Sequence, residues 1–292
     1  MTGSDSYQAA PSLLREWLLR RLDQPQRAWL NAQIETLARD ASDSALHIAF
    51  GMVPRKLGKG ELALTEPELA AAGRALPGWE PRGWSVADSA RILLLSLVSG
   101  THKDFPQAFR SLCNTADVAE LTALYRGLPL YAQGQALLDQ VGEGLRSNMR
   151  GVFEAIIHRN PYPNLHFDPH RWNHMVLKAL FIGSALAPIQ GLDERANAEL
   201  ARMLCDFAQE RSAAGRSVPF EIWRCVGPFA RGPMLDALAR ALGNADATQR
   251  SAAALALAAS PDPAALRLLS TVPALQQGIS RGQISWATLH AA

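Results

Sequence analysis

Residues 233–269, PMLDALARALGNADATQRSAAALALAASPDPAALRLL, indicate the fold class more clearly than any other stretch of this chain. Apolar residues recur there every three or four positions, which is the spacing of one buried helix face. Helix boundaries are also marked, because Gly243 is placed to end the first segment, Asp246 to begin the second and Asp262 to begin the third. The stretch therefore predicts short helices joined by tight turns.

The rest of the chain carries the same pattern. Thr65–Glu68 and Ser85–Asp88 have the spacing of capping boxes, in which two side chains satisfy free amides at a helix start. No segment alternates apolar and polar residues between hairpin turns. We predict an all-α fold with little or no β structure, an irregular stack of helical hairpins of the HEAT or solenoid type. A single domain over residues 1–292 is expected, and a subdivision into 1–100 and 101–292 is the alternative.

Composition excludes several classes of protein. The 292 residues are 48% hydrophobic and 19% charged, which is typical of a globular chain with a large core. A net charge of +2 without a basic stripe gives no indication of nucleic-acid binding. No signal peptide is recognisable in MTGSDSYQAA, and the most apolar window, Ile92–Val98, is too short to span a bilayer. Cys113, Cys205 and Cys225 lack metal or redox spacing, which indicates reduced thiols and predicts a cytoplasmic location.

Unusual polar chemistry is concentrated in residues 160–178, NPYPNLHFDPHRWNHMVLK. Asp168, followed by a proline, has the signature of a helix N-cap. His170, His174 and Lys178 then follow at intervals of four, so they share one helix face. The preceding loop adds His166. This helix start is the predicted functional region.

One interpretation of this region is a metal site. Two imidazoles four residues apart can reach one ion, and Asp168 could complete the set with His170 and His174. Such an ion would activate a water in a hydrolase-like reaction. Against it, the glutamate of zinc proteases is missing, and the Arg171 guanidinium would oppose the charge of the ion. The alternative is that the histidines are ordinary surface or partly buried residues.

A second interpretation is a pocket for an organic or anionic ligand. The positive end of the helix, together with the imidazoles and Lys178, would supply donors, and Trp172 an apolar wall. In the segment 191–197, GLDERAN, Asp193 is expected to cap the next helix, while Arg195 and Asn197 could face the same pocket. The alternative is a packed loop whose polar groups satisfy one another. Covalent catalysis is not indicated, because no nucleophile motif is present.

Several segments together resemble the EboA-domain family. They are HRNPYP at 158–163, FD at 167–168, WNHMVLKALF at 172–181, GLDERAN at 191–197, ELARMLCD at 199–206 and WRCVGP at 223–228. Members of this family are encoded in ebo-type gene clusters beside a membrane prenyltransferase-like protein, a TatD-like hydrolase and sugar-isomerase-like or dehydroquinate-synthase-like enzymes. The resemblance implies a role in the biosynthesis or traffic of a secondary metabolite, and it carries over no catalytic residue.

From these observations we expect a non-catalytic helical protein that binds a metabolite or a partner protein of its pathway. It needs no cofactor unless the metal interpretation holds, and any contact with the inner membrane would be made through partners such as the prenyltransferase-like protein. The candidate ligand-binding residues lie in the resembling segments or in the loop between them, and they are Asn160, His166, Trp172, Asn173, His174, Lys178, Asp193, Arg195 and Asn197.

Overall fold

The computed structural model describes residues 3–40 and 42–291. Met1 and Thr2, the first two residues of the segment MTGSDSYQAA, lie outside the described residues. About 70% of the chain is helical, and β structure within the described ranges is confined to isolated bridges such as Glu61–Ser85. The all-α prediction is confirmed. The HEAT-like arrangement of hairpins stays a prediction. No helix in the described ranges has the length and apolar composition required to cross a bilayer.

The chain forms two compact units, Met1–Phe167 and Asp168–Ala292. The position considered for a subdivision, near residue 100, lies inside the first unit, where helices on either side of it pack together. The helices described in the first unit are α1 Gly3–Arg21, α2 Gln24–Arg39, α3 Asp43–Leu57, α4 Glu66–Ala75, α5 Val86–Ser99, α6 Phe105–Thr115, α7 Val118–Arg126, α8 Leu138–Arg146, α9 Arg150–Ile157 and α10 Tyr162–His166. Those of the second are α11 Pro169–Phe181, α12 Ala198–Ala213, α13 Ile222–Val226, α14 Pro233–Leu242, α15 Ala247–Ala259, α16 Pro263–Ser270, α17 Pro273–Ser280 and α18 Trp286–Ala291. Short 3₁₀ turns at Leu128–Leu130, Gly134–Leu137 and Gly227–Phe229 complete the helical structure of the described residues.

Helix α5 forms the centre of the first unit. It is buried along almost its whole length and packs against α1, α2, α3 and α7. The predicted capping box at its start is present, with Ser85 and Asp88 bonded to each other's backbone amides. One charged residue of α5, Arg91, is 3% exposed, and its guanidinium is satisfied by Glu120 at 2.7 Å. This central helix is the buried apolar segment that the sequence indicated.

A tryptophan cluster closes one side of this core. The rings of Trp17 and Trp79 stack with centroids 5.6 Å apart, and Trp84 lies 6.2 Å from Trp79. All three side chains are buried. Because Trp79 and Trp84 lie in the loop between α4 and α5, the loop completes the core by covering α1 with aromatic surface.

The second unit is built largely from α12 to α18, and its alanine-rich helix α15 packs against α13, α14, α16, α17 and α18. The predicted boundaries are confirmed, since Gly243 ends α14 and the carboxylates of Asp246 and Asp262 cap α15 and α16. Small side chains on α15 allow close approach of neighbouring backbone. At Gly227, an added Cβ would lie 2.7 Å from the carbonyl oxygen of Ala256, which leaves room for glycine alone.

Candidate functional site

The start of α11 has the local structure that the sequence predicted. Asp168 caps the helix, because its Oδ1 accepts a hydrogen bond from the Arg171 amide at 2.7 Å, and this bond lowers the pKa of the carboxyl group. His170 and His174 lie on one exposed face with ring centroids 4.1 Å apart. The Nδ1 atom of His174 lies 2.9 Å from the carbonyl oxygen of His170. Both the ring contact and the hydrogen bond of His174 are thus made within its own helix.

The metal interpretation requires a third ligand close to these imidazoles. Among residues 3–40 and 42–291, no group of three or more His, Cys, Asp or Glu side chains is placed to hold an ion. Asp168 uses its carboxylate to cap the helix. Asp168, His170 and His174 therefore do not form a ligand cluster in the described part of the chain.

Trp172 and Asn173 of α11 hold the segment that leads into α12. The guanidinium carbon of Arg195 lies 4.5 Å from the centroid of the buried Trp172 ring. The amides of Asn173 and Asn197 exchange two hydrogen bonds, of 2.9 and 3.2 Å. Two pairs of predicted residues are therefore brought together, one by a cation–π contact and the other by reciprocal amide hydrogen bonds.

The prediction that Asp193 caps the following helix is wrong. Helix α12 begins at Ala198, and its N-cap is Asn197, whose Oδ1 accepts from the Leu200 amide at 2.9 Å. Asp193 instead accepts hydrogen bonds from Nε and Nη2 of Arg224, both at 2.6 Å. The residues between Asp193 and Asn197 are not helical, so α12 starts four positions later than expected. Asn197 is favoured because the same side chain that caps the helix also binds the buried Asn173 amide.

The remaining predicted residues differ in their surroundings. Lys178 is half-buried, and burial lowers the pKa of its amine. In the first unit, Nδ1 of His166 lies 2.9 Å from Oε1 of Gln135, and partial burial lowers the imidazole pKa. Asn160 is 3% exposed and donates to the carbonyl oxygens of Tyr125 and Ala155. A shared ligand pocket around α11 stays a prediction.

The second unit contains a cleft between one face of α12 and one face of α14. Its volume is about 770 Å³, within the range of small-molecule sites. Residues at spacings of three and four line it from each helix, because such residues share a helix face. From α12 these are Arg202, Cys205, Asp206, Ala208, Gln209, Ser212 and Ala213, and from α14 they are Pro233, Met234, Ala237, Arg240 and Ala241. Val218, Trp223, Arg231, Asn244 and Gln249 complete the lining.

One end of the cleft is fixed by Gln249. Its side chain accepts a hydrogen bond from Nε1 of Trp223 at 3.2 Å and donates one to the carbonyl oxygen of Val218. The indole is 3% exposed, so it presents a rigid aromatic wall while its polar nitrogen is satisfied. A preformed wall of this kind lowers the entropy lost when a ligand binds.

The walls of the cleft carry positive charge. Arg231 and Arg240 both line it, and neither has a carboxylate partner among the described residues. The acid on the opposite wall, Asp206, is already paired with Arg202 at 2.7 Å. Burial raises the pKa of the Cys205 thiol to about 11, so the thiol stays protonated at neutral pH. The free binding capacity of the cleft is therefore cationic, and its walls include Met234 and several alanines.

Sequence reasoning did not identify this cleft. Arg240 in the last turn of α14 has an ordinary explanation, since cations there complement the helix dipole. Trp223 is buried as an ordinary core tryptophan would be, so its residue type alone does not indicate a pocket wall. A usable signal was present in α12, where polar residues at 202, 205, 206, 209 and 212 follow one face. The second wall could not be assigned, because it depends on which helix packs against that face.

A family model described as metabolite traffic protein EboA matches residues 10–227, well over half of the chain. The match includes the α12 wall of the cleft and ends before α14. No curated protein matches the chain. No solved structure matches it either.

Proposed function

Because the chain belongs to the EboA family of metabolite traffic proteins, we propose that it binds a metabolite of its pathway and delivers it unchanged to partner proteins. The proposed site is the cleft between α12 and α14. The observation that carries this proposal is a cleft of about 770 Å³ in which the guanidiniums of Arg231 and Arg240 have no carboxylate partner among the described residues. A delivery protein needs such reversible binding capacity.

The lining indicates the chemical class of the ligand. Trp223, Met234 and the alanines offer apolar surface, while the two guanidiniums offer donors for a carboxylate, sulfonate or phosphate. A ligand with an apolar or aromatic body and one anionic group would use both features. Pathway enzymes and a membrane prenyltransferase-like protein are the proposed partners that supply or receive it.

A direct test uses 8-anilinonaphthalene-1-sulfonate, a fluorescent aromatic anion, as a probe of the folded protein. We expect saturable binding that weakens by about tenfold in Arg231→Gln/Arg240→Gln, equivalent to about 1.4 kcal/mol, because charge-assisted hydrogen bonds are lost. Ala237→Trp should block the cleft sterically. Ala198→Trp is the matched control, because Ala198 is an exposed residue of α12 outside the cleft. Equal binding by wild type and all three variants would reject the site.

The natural ligand is tested in cells of the native host. Mass spectrometry of small molecules bound to the purified protein should reveal a metabolite that is retained by Ala198→Trp and lost from Ala237→Trp. The α11 face is tested separately by combining His174→Ala with Lys178→Ala, which removes one exposed and one half-buried polar group. If metabolite accumulation in that strain is unchanged, the α11 face is not the binding surface.

A further inference from the structure

The first unit contains a smaller and more polar cavity. Its volume is about 240 Å³, below the range typical of drug-sized ligands. The walls come from the loop between α4 and α5, from α7, from α9 and from the segment that follows α9. They carry three arginines, Arg82, Arg126 and Arg159, and two glutamates, Glu80 and Glu154. A cavity of this size and polarity suits a small charged group.

The carboxylates of the wall are already in contact with arginines. Oε1 of Glu80 lies 3.1 Å from Nε of Arg82 and 3.4 Å from Nε of Arg159. Glu154 accepts from Nε of Arg150 at 2.7 Å. These contacts orient both carboxylates without an external cation.

Two of the guanidiniums, in contrast, keep unused donors. Arg126 contacts Asp88 through Nη1 alone, at 2.9 Å, and Arg159 contacts Glu80 through Nε alone. Their other nitrogens have no acceptor among the described residues. Arg82 differs, because Glu66 takes both of its terminal nitrogens, at 2.8 and 3.0 Å. Arg126 on α7 and Arg159 after α9 can therefore offer donors from two sides of the cavity.

The backbone that carries Arg159 is held in an uncommon conformation. Its φ is 50°, a left-handed value that side chains with a Cβ rarely adopt. The next residue, Asn160, anchors this conformation: its buried amide donates to Tyr125 and Ala155, and its Oδ1 accepts from the Tyr162 amide at 3.0 Å. Non-glycine residues in strained conformations are concentrated at ligand sites. The strain places an arginine, rather than the glycine that this backbone prefers, at the wall of the cavity.

We propose that this cavity binds a phosphate group between Arg126 and Arg159. A phosphate has three terminal oxygens and more negative charge than a carboxylate, so it can accept from two guanidiniums at once. The phosphate is either free inorganic phosphate or the anionic end of a small phosphorylated metabolite. This site lies in the first unit and is independent of the proposed metabolite cleft in the second.

The test is titration calorimetry of the full chain with inorganic phosphate, with chloride at the same ionic strength as the reference. We expect phosphate binding that weakens about tenfold or more in Arg126→Lys, which keeps the charge but loses the planar fork. Arg159→Gly should lose binding to a similar extent while folding at least as well, because glycine accepts the left-handed backbone. Arg146→Ala is the matched control, since this exposed arginine of α8 does not line the cavity.

Two outcomes would overturn the proposal. One is a wild-type titration with phosphate that cannot be distinguished from chloride, and the other is equal weakening by Arg146→Ala. Titration with glycerol 3-phosphate decides whether the ligand is a phosphorylated metabolite or inorganic phosphate. Tighter binding of glycerol 3-phosphate than of inorganic phosphate indicates a phosphorylated metabolite, and weaker binding indicates the free ion. Ala237→Trp should leave phosphate binding unchanged, so failure of the cleft and failure of this cavity are distinguishable. If Ala237→Trp abolished phosphate binding, the assignment to the first unit would be wrong.

Discussion

Replacing Asn197 by alanine should destabilise the protein far more than an exposed asparagine normally would. Two separate contributions are removed. The first is the N-cap of α12, where Oδ1 accepts from the Leu200 amide at 2.9 Å, and loss of such a cap costs about 1 kcal/mol. The second is the reciprocal amide pair with Asn173, a residue that is 4% exposed. Leaving a buried amide without partners costs about 1–3 kcal/mol, so the total loss is roughly 2–4 kcal/mol.

The assay is urea-induced unfolding followed by far-ultraviolet circular dichroism, with the free energy of unfolding compared at unchanged m-value. Asn197→Ser separates the contributions, because a serine keeps the cap and loses the amide pair. The control Asn114→Ala removes an exposed asparagine of α6 and should change the free energy of unfolding by less than about 0.5 kcal/mol.

A double-mutant cycle tests the pairing itself. If the two amides satisfy each other, Asn173→Ala/Asn197→Ala should lose less free energy than the two single variants together, by about 1 kcal/mol or more. Additive losses, or a loss below about 1 kcal/mol in Asn197→Ala, would refute the reasoning. The two asparagines would then be available for another role, and their predicted place in a ligand site around α11 would gain weight.

Three further predictions concern stability elsewhere in the chain. Arg159→Gly should raise the free energy of unfolding by about 1 kcal/mol in urea titrations, because glycine adopts a φ of 50° without strain. A lower free energy of unfolding would mean that the contacts of the Arg159 side chain stabilise the protein more than the backbone strain destabilises it. The pKa of Glu68 is lowered from 4.5 to about 2, mainly by a hydrogen bond from the Arg21 guanidinium. The contribution of Glu68 to the free energy of unfolding is therefore fully present above pH 4.5 and is lost as the pH falls toward 2. Thermal unfolding of Glu68→Gln should accordingly depend less on pH across that interval than wild type does, and parallel curves would contradict the prediction. Gly227→Ala should lower the melting temperature and cost about 1–3 kcal/mol of stability, because the new Cβ would lie 2.8 Å from Cα of Ala256. The control Gly51→Ala in α3 has open space around it and should be neutral or stabilising. Equal effects of the two substitutions would show that close backbone packing at Gly227 does not limit stability.

Helix boundaries were predictable from the sequence where the signal is local. Asp168, Asp246 and Asp262 each cap a helix through an amide two or three residues ahead, so the sequence contains both partners of the bond. The exception is Asp193, which has the residue type of a cap but pairs with Arg224 instead. That pairing joins residues 31 positions apart, and no local pattern identifies such a partner.

The arrangement of the candidate sites was not predictable in the same way. The sequence placed His170 and His174 correctly on one helix face, since that relation depends only on the helical repeat. The cleft depends instead on α14 packing beside α12, and the proposed phosphate site depends on α7 packing beside α9, which puts Arg126 and Arg159 on the walls of one cavity. Which helices become neighbours is decided by tertiary packing, and several other arrangements of the helices would bury the same apolar faces. Arg159 is a further case, because its positive φ is imposed by the hydrogen bonds of Asn160.

The chemistry of the cleft is compatible with the proposed binding of a ligand. Proton transfer is fastest when a group titrates near the working pH, and enzymes shift pKa values toward it. In the cleft, burial moves the pKa of Cys205 the other way, to about 11, which removes the thiolate that a nucleophile would need. Arg231 and Arg240 supply guanidinium donors to the cleft and no acceptor. Their contribution is electrostatic, so the affinity of the cleft for an anionic ligand should fall as the ionic strength rises.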